Sequence, residues 1–342
     1  MKPDGWEIDA EEHRFEEHLG RRALLLDRGV ATANGVVLRD GVIEFDIAVP
    51  SERGFSGILW RVVDGDNHEE FYLRHHLSGQ PDACQYTPVF NGLRGWQLYS
   101  GPHFSAPVEF PANQWIRIKL VVEESRADIY IDSDEPVLHI PELKRSPQAG
   151  RLAFKSTFAP AWFSKLSYRP LGDERIVGQP ADVAPPPEHM VTEWMVSPAF
   201  PKGDIEGRLA LPDDSPDANW RRSTAEASGL LNVARSVKIT DRNDTAFARL
   251  RIDSAEEQKK LVRFGFSDEV RVFLNGELLF VGSDGFLSRD DKFMGTVGLF
   301  DSVVLPLKRG KNDLLFAVSE GFGGWGLLAQ FEDPSGLQFQ ER

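Results

Sequence analysis

The sequence predicts an all-β protein with two β-sandwich (jelly-roll) domains joined by a proline-rich linker. Three observations lead to this fold class. Short runs of alternating or β-branched residues are common, turn-forming residues separate them at short intervals, and helical periodicity is scarce. Many short strands broken by Gly, Pro, Asn and Asp are typical of β-sandwiches.

In the first half of the chain, strands are predicted wherever polar and apolar residues alternate. These runs are GVIEFDIAV (41–49), GILWRVV (57–63), EFYLRHH (70–76), WIRIKLVVE (115–123) and ADIYIDS (127–133). Turn sequences such as PSERG and DGDN lie between them. The charged segment DAEEHRFEEHLGRR near the start is the one candidate helix, and ALLLDRGVATANGVVLRDG after it again predicts strands.

The segment 171–189 breaks the strand pattern, because it is rich in proline and polar residues. Its triple proline at 185–187 favours an extended spacer. We therefore expect a first domain over 1–170, a linker over 171–189 and a second domain over 190–342. The second half also contains only strand patterns, among them TAFARLRID, KKLVRFGFS, EVRVFLNGELLFVG and NDLLFAVSE.

Charge and composition narrow the classes of partner. Lys and Arg total 39 and Asp and Glu total 53, which gives a formal net charge of −14. An acidic surface repels phosphate backbones, so nucleic acid is not expected as a partner, while a neutral sugar is allowed. No long apolar run predicts a membrane span. The start of the chain has no apolar leader segment, so the expectation is a cytoplasmic protein by default, or a secreted one whose leader was removed.

Residues 35–168 carry a succession of strand motifs in a recognisable order. The motifs are FSGILWRVVDGDNHEEFYLRHH (55–76), WIRIKLVVEESRADIYIDSDEPVLHI (115–140) and GRLAFKSTFAPAWFSKLSYRP (150–170). This region resembles the concanavalin A-like lectin/glucanase superfamily, in its laminin-G-like and keto-disaccharide hydrolase-like forms. The resemblance implies a curved two-sheet jelly roll, but these are scaffold motifs and do not fix an activity.

The catalytic pattern of the glucanases is absent from this sequence. Those enzymes place two carboxylates about 5–9.5 Å apart across the glycosidic bond. Glu44 and Asp46 share one face of a strand, but a third acid at the matching position is missing. Glu69 and Glu70 are neighbours and therefore point to opposite faces. We do not expect classical glucanase activity.

Alternation along EEFYLRHH places a row of polar side chains on one face of the predicted strand. Phe71, Leu73 and His75 face the core, and the opposite face, the preceding strand and the loop that follows supply our candidate ligand-binding residues. These are Arg61, Glu70, Tyr72, Arg74, His76, Gln85, Tyr86, Asn91 and Trp96. Aromatic faces and paired donors and acceptors are what sugar recognition needs. The alternative is that the charged residues form cross-strand ion pairs and the aromatics cap a core.

The histidines and the single cysteine give weaker signals. His75 and His76 are adjacent and face opposite ways, so they do not easily share a metal ion, and convergence of His68, His76 and His103 is not required by their spacing. A cysteine nucleophile needs a base and an electropositive setting. Histidines lie near Cys84 in the sequence, but no known nucleophile signature surrounds it, and we interpret it as a structural thiol. The sequence therefore does not define a set of metal ligands in the first half.

The second half, from about residue 190 to 342, resembles the galactose-binding-domain-like jelly roll, on the basis of EWMVSPAF, FGFSDEVRVFLNGELLFVG and SVVLPLKRGKNDLLFAVSEGFGGWGLLAQF. Asn275-Gly276 predicts a tight hairpin turn with positive φ at both residues. GFGGWG is no dinucleotide fingerprint, because a strand follows it instead of a helix. Asp284, Asp290 and Asp291 lie in a polar loop, where a structural calcium ion is one interpretation and a solvated acidic loop the other. We expect no further cofactor.

These observations favour a carbohydrate-binding or carbohydrate-processing accessory protein that is not itself catalytic. One alternative is a glycoside hydrolase or lyase that uses Glu70 with His76 or Arg61 on the concave face. Another is a structural or protein-interaction module. The geometry around the polar row is expected to discriminate among these three classes.

Overall fold

The computed structural model describes residues 2–182, 184–211, 219–290 and 292–340. Its regular structure is almost entirely antiparallel β-strand, which confirms the predicted all-β sandwich fold class. The chain divides into two compact units, Met1–Val89 with Tyr99–Asp182, and Phe90–Leu98 with Val183–Arg342. The predicted domain and linker boundaries stay a prediction. No helix among the described residues is long and apolar enough to cross a membrane.

The strands that precede the proline-rich segment are numbered in chain order. They are β1 (Trp6–His18), β2 (Arg21–Ala33), β3 (Gly41–Ala48), β4 (Phe55–Asp64), β5 (Asn67–Arg74), β6 (Cys84–Phe90), β7 (Leu93–Arg94), β8 (Ser105–Ala106), β9 (Ile116–Glu123), β10 (Arg126–Ile131), β11 (Leu138–Ile140), β12 (Arg151–Thr157) and β13 (Ala161–Arg169). Short 3-10 turns lie at Pro3–Gly5 and His75–Leu77.

The candidate helix near the start is wrong, because that segment forms the β1–β2 hairpin. The two strands pair from Trp6 with Ala33 to His18 with Arg21, around a turn at Leu19-Gly20 where both φ values are positive. The charged side chains of β1 face outward, while its apolar residues pack against the core of the first unit. Antiparallel pairing with β2, together with the apolar residues Trp6, Ile8 and Ala10, therefore decides the structure of this charged segment.

The first unit contains one curled antiparallel sheet with the neighbour order β11-β10-β9-β3-β13-β2-β12-β4-β5-β6. β1 also pairs with β2, and β8 pairs with β6. The inward faces of these strands form a continuous apolar core that includes Phe45, Trp60, Phe71, Phe154 and Phe163. Alternate residues along the same strands point away from this core.

The strands of the second unit after the proline-rich segment continue the numbering. They are β14 (Glu193–Val196), β15 (Arg221–Thr224), β16 (Leu231–Asn232), β17 (Thr245–Ser254), β18 (Gln258–Ser267), β19 (Glu269–Leu274), β20 (Glu277–Ser283), β21 (Asp301–Leu307), β22 (Gly310–Ser319), β23 (Gly326–Phe331) and β24 (Leu337–Gln340). Short 3-10 turns lie at Lys202–Asp204 and Val233–Arg235.

Two sheets enclose the core of the second unit. One has the order β15-β14-β17-β22-β19-β20 with β24 beside β17, and the other has the order β16-β23-β18-β21. The core between them includes Trp194, Phe264, Phe316 and Trp325. The predicted turn at Asn275-Gly276 is confirmed, because φ is 52° and 84° at the two residues and they join β19 to β20.

Candidate functional site

The polar row on β5 has the predicted alternation but is shorter than expected. Phe71 and Leu73 pack in the core, and Glu70, Tyr72 and Arg74 lie on the other face. The strand ends at Arg74, and the 3-10 turn His75–Leu77 takes His76 out of the row. His76 is therefore not part of the strand, although its ring and that of Tyr72 both lie against the ring of Phe55. Its role in ligand binding stays a prediction.

Glu70 forms an ion pair with a lysine from β12. Lys155 Nζ lies 2.7 Å and 2.9 Å from the two carboxylate oxygens, and both side chains are buried. The Nε2 atom of His68 is 3.8 Å from Glu70 Oε2. Both ring nitrogens of His68 and the hydroxyl of Thr87 are buried without a hydrogen-bond partner in the described structure. This face is therefore polar, with one satisfied pair and unsatisfied groups beside it.

Tyr72, Arg74 and Gln85 form one buried hydrogen-bond network. The Tyr72 hydroxyl donates to Gln85 Oε1 at 2.9 Å, and Arg74 Nη2 donates to the same oxygen. Arg74 Nη1 also donates to the Asp82 carbonyl, and Gln85 Nε2 donates to the Tyr99 carbonyl at 2.7 Å. The three predicted residues are thus brought together, but they already bind one another.

Arg61 is a structural residue. Its Nε donates to the Arg39 carbonyl at 2.8 Å, and its Nη2 lies 2.9 Å from Asp40 Oδ1 and 2.5 Å from the Glu124 carbonyl. Only 1% of its surface is exposed. Arg61 lies where the β4–β5 pairing is irregular, and this irregularity turns the guanidinium away from the polar row. Its assignment to a ligand-binding face is corrected accordingly.

Tyr86 is likewise buried in the apolar core of the first unit. Its hydroxyl donates to Glu69 Oε2 at 2.8 Å and accepts the Lys144 amide at 2.8 Å. Burial raises the pKa of Glu69 to about 7. Because strand alternation directs Tyr86 inward, this residue is also dropped as a ligand-binding candidate.

Asn91 and Trp96 belong to the second unit, within the segment Phe90–Leu98. The Asn91 side chain donates to the Ala234 carbonyl at 2.8 Å, which is a structural contact. Trp96 belongs to a different surface from the polar row on β5. Its ring is 5.5 Å from the ring of Phe322 and 6.2 Å from that of Phe286, with interplanar angles of 62° and 72°.

We call the group Trp96, Asp268, Phe286, Glu320 and Phe322 the aromatic–carboxylate site. Phe322 is 57% exposed and Phe286 is 41% exposed, so two rings of this site face solvent. Asp268, Phe286 and the pair Glu320 and Phe322 follow β18, β20 and β22, whose ends lie at the same end of the sandwich. Trp96 lies in the segment that follows β7.

Gln97 ties these segments together. Its amide donates to the Gly323 carbonyl at 2.9 Å, and its side-chain Nε2 donates to the Met294 carbonyl at 2.9 Å. Gly323 has a φ of 112°, and a Cβ there would lie 1.9 Å from Gln97 Oε1. Glycine at 323 is therefore needed both for the backbone conformation and for the approach of Gln97.

The carboxyl groups of Asp268 and Glu320 accept hydrogen bonds from backbone amides of the loop 321–324. Asp268 Oδ2 accepts the amides of Gly321 and Phe322 at 2.9 Å and 3.0 Å. Glu320 Oε1 accepts the Gly324 amide at 2.9 Å. Burial raises the pKa of Glu320 to about 8 with a further contribution from Asp268, and burial also raises the pKa of Asp268.

The acidic loop for which a calcium ion was one of two interpretations is organised by an arginine. Arg289 Nε donates to Asp284 Oδ1, and its Nη2 donates to Asp301 Oδ2. Asp290 accepts the Lys292 amide at 2.7 Å, and Asp291 lies outside the described residues. Across the described ranges, no group of three or more His, Cys, Asp and Glu residues could hold a metal ion. Cys84 is buried, and burial raises the pKa of its thiol to about 12, as expected for a structural cysteine.

Sequence reasoning found Trp96 but missed the other four members of the aromatic–carboxylate site. Their signals were present as a Ser-Asp pair at the end of β18 and a glycine-rich run after β22. In the sequence, the glycine-rich run resembles a nucleotide motif and contains Trp325, but neither feature indicates its acidic neighbours. A tight loop whose free amides need acceptors could have pointed to the acids beside it.

Comparisons with known proteins add similarities at low levels. No family model matches the chain, and no curated protein matches it. Among solved structures, it is similar to the carbohydrate binding module CBM66 from Bacillus subtilis, with 17% identity, 48% of this chain and 95% of that chain covered, and a TM-score of 0.38. A Bacillus subtilis protein of unknown function with a galectin-like fold gives 12% identity over 48% of this chain and 89% of that chain, with a TM-score of 0.37. These scores are too low to assign a function to this chain.

Proposed function

We propose that this protein binds carbohydrate at the aromatic–carboxylate site of its second unit and does not cleave it. The observation that carries the proposal is the grouping of Trp96 with two solvent-facing rings, Phe286 and Phe322. Sugars present C–H faces that pack on aromatic rings and hydroxyls that need polar partners. The rings of Phe322 and Phe286 are inclined to that of Trp96 by 62° and 72°. The surface they form is therefore angular and matches a non-planar ligand better than a planar ligand.

Polar groups in the loop that carries Phe286 can receive the hydroxyls. Arg289 is partly exposed, and its guanidinium lies 5.6 Å from the ring centre of Phe300, which is 52% exposed. Two carboxylates hold Arg289 in place, so it is preorganised as a donor. The combination of a fixed donor and exposed rings suits a sugar ligand better than a purely apolar one.

The polar row of the first unit is a second candidate surface for the same ligand class. Its support is the unsatisfied His68 and Thr87 groups beside the Glu70–Lys155 pair. Tyr72, Arg74 and Gln85 remain candidate contacts there. Because these residues are buried and bound to one another, this surface ranks below the aromatic–carboxylate site.

Ring removal tests the proposal. We expect Phe322→Ala and Trp96→Ala to weaken glycan binding by about tenfold or more, because each removes a stacking surface worth on the order of 1 kcal/mol beside its buried area. The measurement is a glycan array followed by calorimetry on the best ligand. Phe339→Ala is the matched control, since Phe339 is an exposed ring on β24 that does not belong to the site.

Three results would overturn this assignment. Binding by Phe322→Ala and Trp96→Ala equal to wild type would remove the site from consideration. Absence of binding to every glycan would favour the structural or interaction module. Release of reducing ends by the wild type, but not by Glu320→Gln, would replace binding with hydrolysis.

A further inference from the structure

We infer that a proton held by Glu320 fixes the loop 321–324, and that its loss releases this loop and weakens ligand binding at the aromatic–carboxylate site. Glu320 is thus a positioning residue for the rings, and the pH determines whether it carries the proton. The effect on binding rests on the proposed function. The effect on the loop does not.

The first step concerns hydrogen atoms. Ser267 Oγ lies 3.0 Å from Glu320 Oε2 and also within hydrogen-bond distance of the Gly324 carbonyl oxygen. A serine hydroxyl carries one hydrogen, and a carbonyl oxygen only accepts. If Glu320 were ionised, Ser267 would face two acceptors with one hydrogen, and one of the two contacts would be repulsive.

A proton on Glu320 resolves this conflict. Protonated Oε2 donates to Ser267 Oγ, Ser267 donates to the Gly324 carbonyl, and Oε1 still accepts the Gly324 amide at 2.9 Å. Every polar atom of this buried chain is then satisfied. The neutral acid therefore closes a small hydrogen-bond ring around Gly324.

The charges nearby also favour the neutral acid. Asp268 is the charged neighbour of Glu320, and it binds the amides of Gly321 and Phe322 in the same loop. No lysine or arginine forms an ion pair with Glu320 or Asp268 in the described parts of the chain. The remaining charged groups close by already have partners. Glu269 pairs with Lys202, Asp244 accepts the Lys202 amide and the Thr245 hydroxyl, and Asp284 pairs with Arg289.

The loop connects this proton to the binding surface. The Phe322 amide is held by Asp268, its ring contacts Trp96, and the next residue accepts the Gln97 amide. If Glu320 and Asp268 were both ionised, two negative charges would lie close together beside the loop 321–324 and would repel each other. Release of the loop then moves Phe322 away from the position that completes the ring group.

The direction of the pH effect follows from burial. Burial raises the pKa of Glu320 to about 8, so the proton is present at neutral pH and is lost as pH rises through that value. Folding favours the protonated form, so stability falls between the ordinary carboxyl pKa of 4.5 and about 8. Binding is expected to weaken over the upper part of this range.

The deciding experiment uses the full chain with Glu320→Gln. Glutamine cannot ionise, and its amide can donate to Ser267 while its oxygen accepts the Gly324 amide, as the protonated acid does. For the wild type we expect glycan affinity to fall by about tenfold between pH 7 and pH 9.5, and for Glu320→Gln we expect no such fall. Glu277→Gln, an exposed carboxyl in the same unit, is the control and should follow the wild type.

A second readout separates this inference from the proposed function. Hydrogen-exchange protection of the amides at 321–324 is measured from pH 7 to pH 9.5 without ligand. The inference requires protection to fall in the wild type and to persist in Glu320→Gln. If both proteins keep their protection, or both lose it equally, the inference is wrong whether or not a glycan binds. If protection behaves as expected and no glycan binds, only the proposed function fails.

Discussion

Glu69 and Glu70 show how two adjacent carboxyl groups acquire different environments. Alternation predicts that they face opposite sides of the sheet, and the structure confirms this. Glu69 enters the core and meets the Tyr86 hydroxyl, whereas Glu70 faces away and meets Lys155. The sequence could not identify Lys155 as the partner, because it lies 85 residues further along the chain.

Removal of Lys155 tests the energetic role of this pair. We expect Lys155→Met to lower the free energy of unfolding by about 3–5 kcal/mol, because it leaves the buried Glu70 carboxylate without its ammonium. Denaturant unfolding provides the measurement. The matched control is Lys165→Met, whose amine is exposed and pairs with Asp46 at 3.2 Å, and it should cost less than about 1 kcal/mol. Equal losses in the two variants would mean that the Glu70–Lys155 pair is not a major source of stability.

Arg61 and His76 show where residue-level alternation stops being reliable. A regular strand would place Arg61 opposite Trp60, but the β4–β5 pairing is irregular beyond Trp60. His76 leaves the row because a 3-10 turn begins at His75. Both departures depend on local backbone geometry, which period-two reasoning assumes instead of predicting.

At the scale of elements, strand assignments were predictable wherever burial alternates. The β1–β2 hairpin was the exception. Its first strand has so many charged residues that the apolar alternation of Trp6, Ile8 and Ala10 is hard to see in the sequence. Pairing with β2 supplies the missing information, because a strand edge beside it satisfies the backbone of β1.

The Asn275-Gly276 turn is an element whose chemistry the sequence specified. Gly276 has a φ of 84°, and a Cβ there would meet no atom within 4 Å. We therefore expect Gly276→Ala to lower the free energy of unfolding by about 1–2 kcal/mol through backbone strain alone. Gly203→Ala is the control, because its surroundings are equally open and its φ lies outside the left-handed region. Thermal unfolding of both variants gives the comparison, and an equal effect would exclude strain as the cause.

At the scale of the whole molecule, the fold class was predictable and the location of the candidate site was not. The sequence places Trp96 in a loop of the first half, whereas its ring packing assigns it to the second unit. A nine-residue segment that leaves one unit and packs in another has no local signature, since each of its residues is compatible with an ordinary loop. The aromatic–carboxylate site therefore became visible only when separate parts of the chain were seen together.

Because Cys84 is buried, the reactivity of its thiol reports local opening of the structure around it. It is the single cysteine of the protein and lies in the core of the first unit. A thiol reagent can react with it only when that core opens, so the labelling rate under native conditions measures the opening frequency of the first unit alone. We expect labelling to be slow in buffer and to accelerate at the denaturant concentration that unfolds this unit. The second unit contributes no thiol, so labelling reports the opening of the first unit separately within one intact polypeptide.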